Sequence, residues 1–444
     1  MLPAKTMVSC RNAPKSKDGH MPQNTAMTQY RALRFVYLAL AALFFPDLCF
    51  AQLSDQGSVL AKVQAWAEMP TEQRQMFSES DFASQPISKE QAAEITTILW
   101  QDYVSKLRPE RKKEWDAKSI RLDKLTMKFE YRVFGDKPAG GRSLFISMHG
   151  GGGAPPQVNE QQWRNQIRLY EPAEGVYLAP RAPTDTWNLW HQSHIDDFFQ
   201  RIIQDATLFA DVNPNKVYIM GYSAGGDGVY QLAPRMADRL AAAAMMAGHP
   251  NNASPLGLRN IGFTLHMGGK DAAYKRNQIA ALWKDKLAKL QTQDPQGYKH
   301  EVVIHPQFGH WMNRKDAVAV PWMAEFERNP RPDKVVWKQS SVTHPSLYWL
   351  EVDTENQKKG SELVVTRKGQ EFEVQTAKGL QAFSLRLNDQ IVDLDRPITV
   401  RVGDATIQKK LNRTAANIYR SINSRGDREL IFSAGINIPT AEKQ

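Results

Sequence analysis

The chain has 444 residues, is 42% hydrophobic and 23% charged, and carries a formal net charge of +10. That is enough apolar content for two or three domains with sizeable cores. The first 51 residues hold six Lys/Arg against two acids, so about +6 remains beyond them; no dense basic run is interleaved with aromatics, which argues against a nucleic-acid partner but leaves weak attraction to acidic surfaces or polymers open.

Residues 1–51 read as an export signal. Arg31 and Arg34 form a positive flank, and Phe35–Phe45 is an apolar run too short for an ordinary membrane span. Cys49-Phe50-Ala51 places cleavage after Ala51, so membrane contact is expected only before cleavage; an uncleaved anchor is the alternative. The polar stretch before Arg31 raises Met21 or Met27 as the start of translation. Cys10 and Cys49 are the two cysteines, so the cleaved chain has no thiol or disulfide, as suits a bacterial periplasm or exterior.

Residues 52–123 read as a helical region, with Ser88 as the N-cap of "SKEQAAEITTILWQDYVSKL". Over 124–328 the pattern changes. "TMKFEYRVFG" alternates like a strand, and "SLFISMHG", "GVYLAP", "KVYIMG", "AAAAMMAG", "FTLHMG" and "EVVIHP" are short apolar runs ending mostly in Gly or Pro. Amphipathic stretches lie between them. Strands alternating with helices predict an α/β fold, a mostly parallel sheet with helices on both faces, whose ligands sit beyond the strands' carboxyl ends. "ERNPRPDKVVWKQ" marks a boundary near Asn329–Asp333. Residues 329–444 read as a β-rich domain of alternating strands with one helix at about Arg413–Ile422 and a last strand at "ELIFSAG".

Four features at strand ends carry chemistry. "GYSAG" places Ser223 between Gly221 and Gly225 where a strand meets a helix, the geometry of a nucleophile elbow. "HGGGGAPP" leaves backbone N–H groups unobstructed, so an oxyanion hole is expected from Gly150 or Gly151 with Ala224. No Lys-Ser/Thr follows, which rules out a P-loop. Asp271, in "MGGKDAAY", is the candidate to orient the base, with Asp227 as the competitor read as a local hydrogen-bonding group. His310, after Gly309, is the candidate base, with His305 read as structural. The other unusual stretch is "APTDTWNLWHQSHIDD". Trp187, Trp190 and His191, together with Trp311, are candidates to line a substrate pocket. His191, His194, Asp196 and Asp197 have the look of a metal cluster, but His194–Asp197 read better as the acidic start of a helix, and no metal or cofactor is called for.

Together "HGGGG", "GYSAGG", "MGGKD" and "FGHW" resemble the α/β-hydrolase superfamily, and within it the esterase and polyhydroxybutyrate-depolymerase-like group. The resemblance spans roughly Lys124–Arg328. It implies Ser223, Asp271 and His310 as a catalytic triad acting on a small or polymeric ester. Secreted depolymerases of that kind often carry disulfides, which the cleaved chain lacks. A prolyl-oligopeptidase-like peptidase shares the sheet and triad order, but the glycine loop favours an esterase. A non-catalytic binding protein with the same fold is the remaining alternative.

Overall fold

The structure, a computed structural model, describes residues 57–440; the expected signal segment and both cysteines lie outside them. Helices α1 (Val59–Glu68) and α2 (Lys89–Ala117) open the described chain. Ser88 begins α2 as expected. Its hydroxyl accepts the Gln91 N–H and the Gln91 side chain accepts the Ser88 N–H, so two otherwise orphaned donors are satisfied. Ala92, Ile95 and Leu99 recur at helical spacing and are buried. They pack with Val63, Trp66 and Phe77 against Ile418 and Ile422, far along the chain. In its last turn, α2 puts Trp115 into a different core, against Phe129 and Tyr131. The helical region stops at Ala117; residues expected to continue it as far as 123 instead form the sheet's first strand.

Eight strands follow: β1 (Ser119–Leu122), β2 (Leu125–Phe134), β3 (Arg142–Met148), β4 (Gly175–Arg181), β5 (Val212–Tyr222), β6 (Ala242–Met246), β7 (Gly262–Gly268) and β8 (His300–His305). They form one sheet in the order β1-β2-β4-β3-β5-β6-β7-β8. The β1–β2 hairpin joins antiparallel to β4, and every pair from β4 to β8 is parallel. The central strands are buried on both faces, which explains why they read as continuous apolar runs rather than alternating ones. Ile146, Leu178, Ile219 and Leu265 face one core with Phe198, Ile202 and Leu232. Phe145, Tyr177, Tyr218 and Met220 face the other with Val320 and Met323. The covering helices are α3 (Pro156–Gln166), α4 (His194–Phe209), α5 (Ala224–Arg235), α6 (Arg276–Gln293) and α7 (Ala319–Ala324).

The C-terminal strands build two further sheets. β9 (Lys334–Lys338), β12 (Glu362–Lys368), β13 (Glu371–Lys378), β15 (Ile398–Val402) and β16 (Ala405–Lys409) make one, and β10 (Ser346–Leu347), β11 (Leu350–Glu351), β14 (Ala382–Leu387) and β17 (Ala434–Pro439) make the other. Helix α8 spans Ala415–Arg425, capped by Thr414 and ended by Gly426 at φ +54. The last strand begins at Ala434, so only the last two residues of the expected "ELIFSAG" belong to it. Asp427 accepts the Glu429 N–H and folds Arg428–Leu430 into a 3-10 turn instead. Trp337, Trp349, Phe372 and Phe383 belong to the same core as the sheet-covering helices α4 and α5. A buried ionic cluster adds to that junction. Arg328 donates to Asp427 at 2.7 Å and to the Asp238 carbonyl at 2.7 Å, Arg239 reaches Asp427 at 3.1 Å, and Arg425 pairs with Asp238.

Candidate active site

The carboxyl ends of β3, β5, β7 and β8 converge on one place. Strand β5 runs into Ser223, which adopts φ 57, ψ −119 before α5 begins. This backbone region is one that side chains rarely occupy and costs about 1–3 kcal/mol. It is held by the Ser223 N–H donating to the Met246 carbonyl at 2.9 Å and by the Asp227 N–H donating back to the Ser223 carbonyl at 3.0 Å. The flanking glycines are steric necessities: a Cβ on Gly221 would lie 2.3 Å from the Gly225 carbonyl oxygen, and one on Gly225 would lie 2.2 Å from that of Met148.

His310 comes from the loop after β8, and its Nε2 lies 3.0 Å from Ser223 Oγ. Its Nδ1 lies 2.6 Å from Asp271 Oδ2. Asp271 is buried at the end of β7, where its N–H donates to the Gly268 carbonyl and its own carbonyl accepts the Asn277 N–H. Arg276 stands 3.7 Å from its other oxygen. A carboxylate on Nδ1 selects the tautomer with the proton there and leaves Nε2 to accept from the serine. The structure thus brings Ser223, His310 and Asp271 together. Asp227 lies elsewhere: burial pushes its carboxyl up to about 6, and it accepts the His249 N–H at 2.6 Å. His305 faces His266 instead, 3.3 Å between ring nitrogens.

A mostly parallel sheet with this strand order, and a serine, an acid and a histidine just past the ends of β5, β7 and β8, settles the fold. The chain has the α/β-hydrolase fold. Residues 178–340, a little over a third of the chain, match the Dienelactone hydrolase family; that span holds Ser223, Asp271 and His310 but begins after the glycine loop. Among solved structures, a thermostable esterase is 16% identical over 47% of this chain and 62% of its own, with a TM-score of 0.35. The feruloyl esterase module of Clostridium thermocellum is 14% identical over 47% and 86%, at 0.36. Thermogutta terrifontis esterase 2 is 17% identical over 46% and 88%, at 0.34. The chain thus spans less than two thirds of the first of these. No curated protein matches the chain.

The glycine loop lies against the serine: a Cβ on Gly150 would be 3.3 Å from Ser223 Cβ. Its shape depends on a residue that sequence reasoning missed. Asn159, fully buried in α3, accepts the Gly152 N–H at 2.9 Å and donates to the Gly152 carbonyl at 2.9 Å and to Asp185 at 2.8 Å. Gly151, at φ +111, passes so close that a Cβ there would lie 2.0 Å from the Asn159 Oδ1. His149 anchors the loop's other end. Its Nε2 accepts the Ala182 N–H at 3.1 Å, which leaves the proton on Nδ1 to bind the Gly150 carbonyl. Burial pushes this imidazole down to about 4, so it is neutral at pH 7. Tyr222 was also missed. Its hydroxyl donates to the His310 carbonyl at 2.6 Å and accepts the Met312 N–H at 3.0 Å, tying the base's loop to the elbow strand.

A cleft of about 560 Å³ opens over the serine, lined by Gly150, Gly151, Gln162, Tyr222, His310 and Trp311 among others. Trp311 takes its expected place there. Trp190 does not: it is fully buried beneath the glycine loop, its indole N–H donating to the His149 carbonyl at 2.9 Å, because a buried indole needs one acceptor and the rest of the ring is apolar. Trp187 is exposed beside Gly153 and packs edge-on with His191; neither lines the cleft. Burial pushes His191 down to about 4. Asp196, in the first turn of α4, is taken up by Arg235 and by His344 at 2.7 Å. Among the described residues no group of three or more His, Cys, Asp or Glu is arranged to hold a metal.

Proposed function

We propose that the protein is an exported serine hydrolase that cleaves carboxylic esters through an acyl-enzyme. The observation that carries this reading is the unbroken chain Asp271–His310–Ser223, at 2.6 and 3.0 Å, opening into the cleft. Ser223 Oγ attacks the ester carbonyl while His310 Nε2 takes its proton. Asp271 holds the ring and stabilises the imidazolium. The N–H of Ala224 and one from Gly150 or Gly151 bind the developing oxyanion. His310 then gives the proton to the leaving alkoxide. In the second half a water attacks the acyl-enzyme with His310 as base, releasing acid and free serine.

The glycine loop supports an ester over a peptide substrate. Export is proposed from the sequence of residues 1–51; among the described residues no helix is long and apolar enough to cross a membrane. The test is a chromogenic ester series, from acetyl to long acyl chains, with the chain from residue 52 onward. Turnover that disappears in Ser223→Ala is expected, and its dependence on chain length sizes the cleft. A folded protein inactive on every ester, or equal activity in the variant, contradicts the reading.

A further inference from the structure

Arg276 stands behind the catalytic acid. It is the first residue of α6, and its side chain is only 12% exposed. Its Nη1 lies 3.7 Å from Asp271 Oδ1, the oxygen that His310 does not use, and Asp271 is its one ion-pair partner among the described residues. That distance is too long for a hydrogen bond, and the buried Nε has no hydrogen-bond partner among the described residues either. The helix works against this placement, because its N-terminal turn repels cations and holds no acidic residue to offset them. The chain also strains to make it. Tyr274 (φ 53, ψ 21) and Lys275 (φ 59, ψ 28) are both left-handed, a region that residues with side chains rarely occupy and that clusters at functional sites. The exposed Tyr274 ring sits under the guanidinium, 4.9 Å from ring centre to carbon. Stability does not explain a largely buried, under-bonded cation on a strained turn, since only full pairing repays its desolvation.

We infer that Arg276 is a positioning residue for the triad, acting through Asp271 to oppose the charge that His310 acquires when it takes the serine proton. The inference rests on the triad reading of the site but not on the identity of the substrate. Asp271 alone favours the imidazolium. A cation at the carboxylate's other oxygen offsets part of that attraction, so the ring stays neutral to lower pH and returns its proton to the leaving group more readily. Arg276 does not line the cleft, so substrate binding does not depend on it. The other titratable groups around the pair are Tyr222 on β5, which holds the His310 carbonyl, Asp227 on α5, and His249 past β6. Burial pushes the Asp227 carboxyl up to about 6 against the pull of the His249 N–H and of Arg276. Burial, with Arg276 behind it, pushes the His249 imidazole down.

The experiment follows the His310 imidazole by NMR in protein carrying nitrogen-labelled histidine, with His310→Gln assigning the signal, and records kcat/KM for a neutral chromogenic ester across the same pH range. Arg276→Gln is expected to move the His310 titration up by about 0.5–1 pH unit, the size expected of one charge acting across a partly exposed site. The acid limb of kcat/KM should move with it while KM stays within about twofold. Arg276→Lys keeps the charge and should restore most of the parent titration. Tyr274→Ala removes an exposed ring, leaves the fold alone and frees the guanidinium toward water, so it should move the titration the same way but less far. If Arg276→Gln does not fold, Tyr274→Ala decides alone. If no ester is hydrolysed, the esterase reading fails and the NMR titration still decides the inference. A merely structural arginine would lower the Tm and leave the titration in place. A His310 titration unchanged in folded Arg276→Gln, or in Tyr274→Ala where that variant decides, overturns the inference, as does a shift that Arg276→Lys fails to reverse.

Discussion

Replacing Asn159 with Ala tests whether the glycine loop serves the reaction. The amide is fully buried and makes a two-way bond with Gly152, with Asp185 as its third partner. Truncation orphans the Gly152 N–H in a buried place, at a cost of about 1–3 kcal/mol if the loop stays put. A loop of consecutive glycines has little to hold it there, so it relaxes and carries the N–H groups of Gly150 and Gly151 away from the developing oxyanion. Losing one such donor costs about two to three powers of ten in turnover. The account predicts that kcat on a chromogenic ester falls at least tenfold, with about a thousandfold as the ceiling, while KM moves little. Asn159→Asp should fall between, since it still accepts the Gly152 N–H but turns a second carboxylate toward Asp185. Steady-state kinetics beside thermal melts separate this from global unfolding. A folded Asn159→Ala enzyme with kcat within twofold of the parent would refute the loop's role.

The buried ionic cluster makes a stability prediction. Burial alone would raise the Asp427 carboxyl, but Arg328 and Arg239 outweigh it and hold it well below the ordinary carboxylate range. Arg239 is the less well compensated partner; burial, with Arg425 nearby, pushes it down to about 10. Asp427→Asn leaves buried cations unpaired, a loss of about 3–5 kcal/mol, or a Tm lower by about 4–6 °C for a unit of roughly 380 residues. Because the folded carboxyl titrates below the unfolded one, its contribution is complete above about pH 4 and is lost as pH falls further; melts across that range should show the gap between the two proteins closing. His266 behaves in the opposite titration class but with the same outcome. It is fully buried and pushed down to about 4 by burial and by neighbouring His305. The unfolded chain therefore takes up its proton first, so stability is full above about pH 6.5 and declines by about 3 kcal/mol toward pH 4. His266→Gln should flatten that decline in melts between pH 7 and 4.5, and an unchanged slope would contradict it.

Much of this architecture was legible because it is local. The Ser223 elbow, the glycine run after β3 and the Ser88 cap are each dictated by backbone geometry that only certain residues allow, and that constraint is written in a few adjacent letters. Asp271 and His310 were legible through position, as polar residues in loops just past apolar strands. What escaped is set by tertiary contact. Asn159 looks like any polar helix residue until Gly151 and Gly152 fold over it, and Tyr222 reads as a strand aromatic until the His310 loop reaches its hydroxyl. Trp190 and Trp187 are three residues apart in one loop, and nothing in that spacing says that one is buried and one exposed. The shift of the last strand to Ala434–Pro439 follows from Asp427, whose side-chain bond to the Glu429 N–H competes with strand formation over residues of high β-propensity.

The most direct test of the central claim is covalent labelling by a fluorophosphonate probe, read by intact mass and peptide mapping. The account predicts one adduct per chain, located on Ser223, absent from Ser223→Ala and strongly slowed in His310→Ala. A folded protein that takes up no probe, or takes it up at another residue, would contradict the assignment of Ser223 as an activated nucleophile.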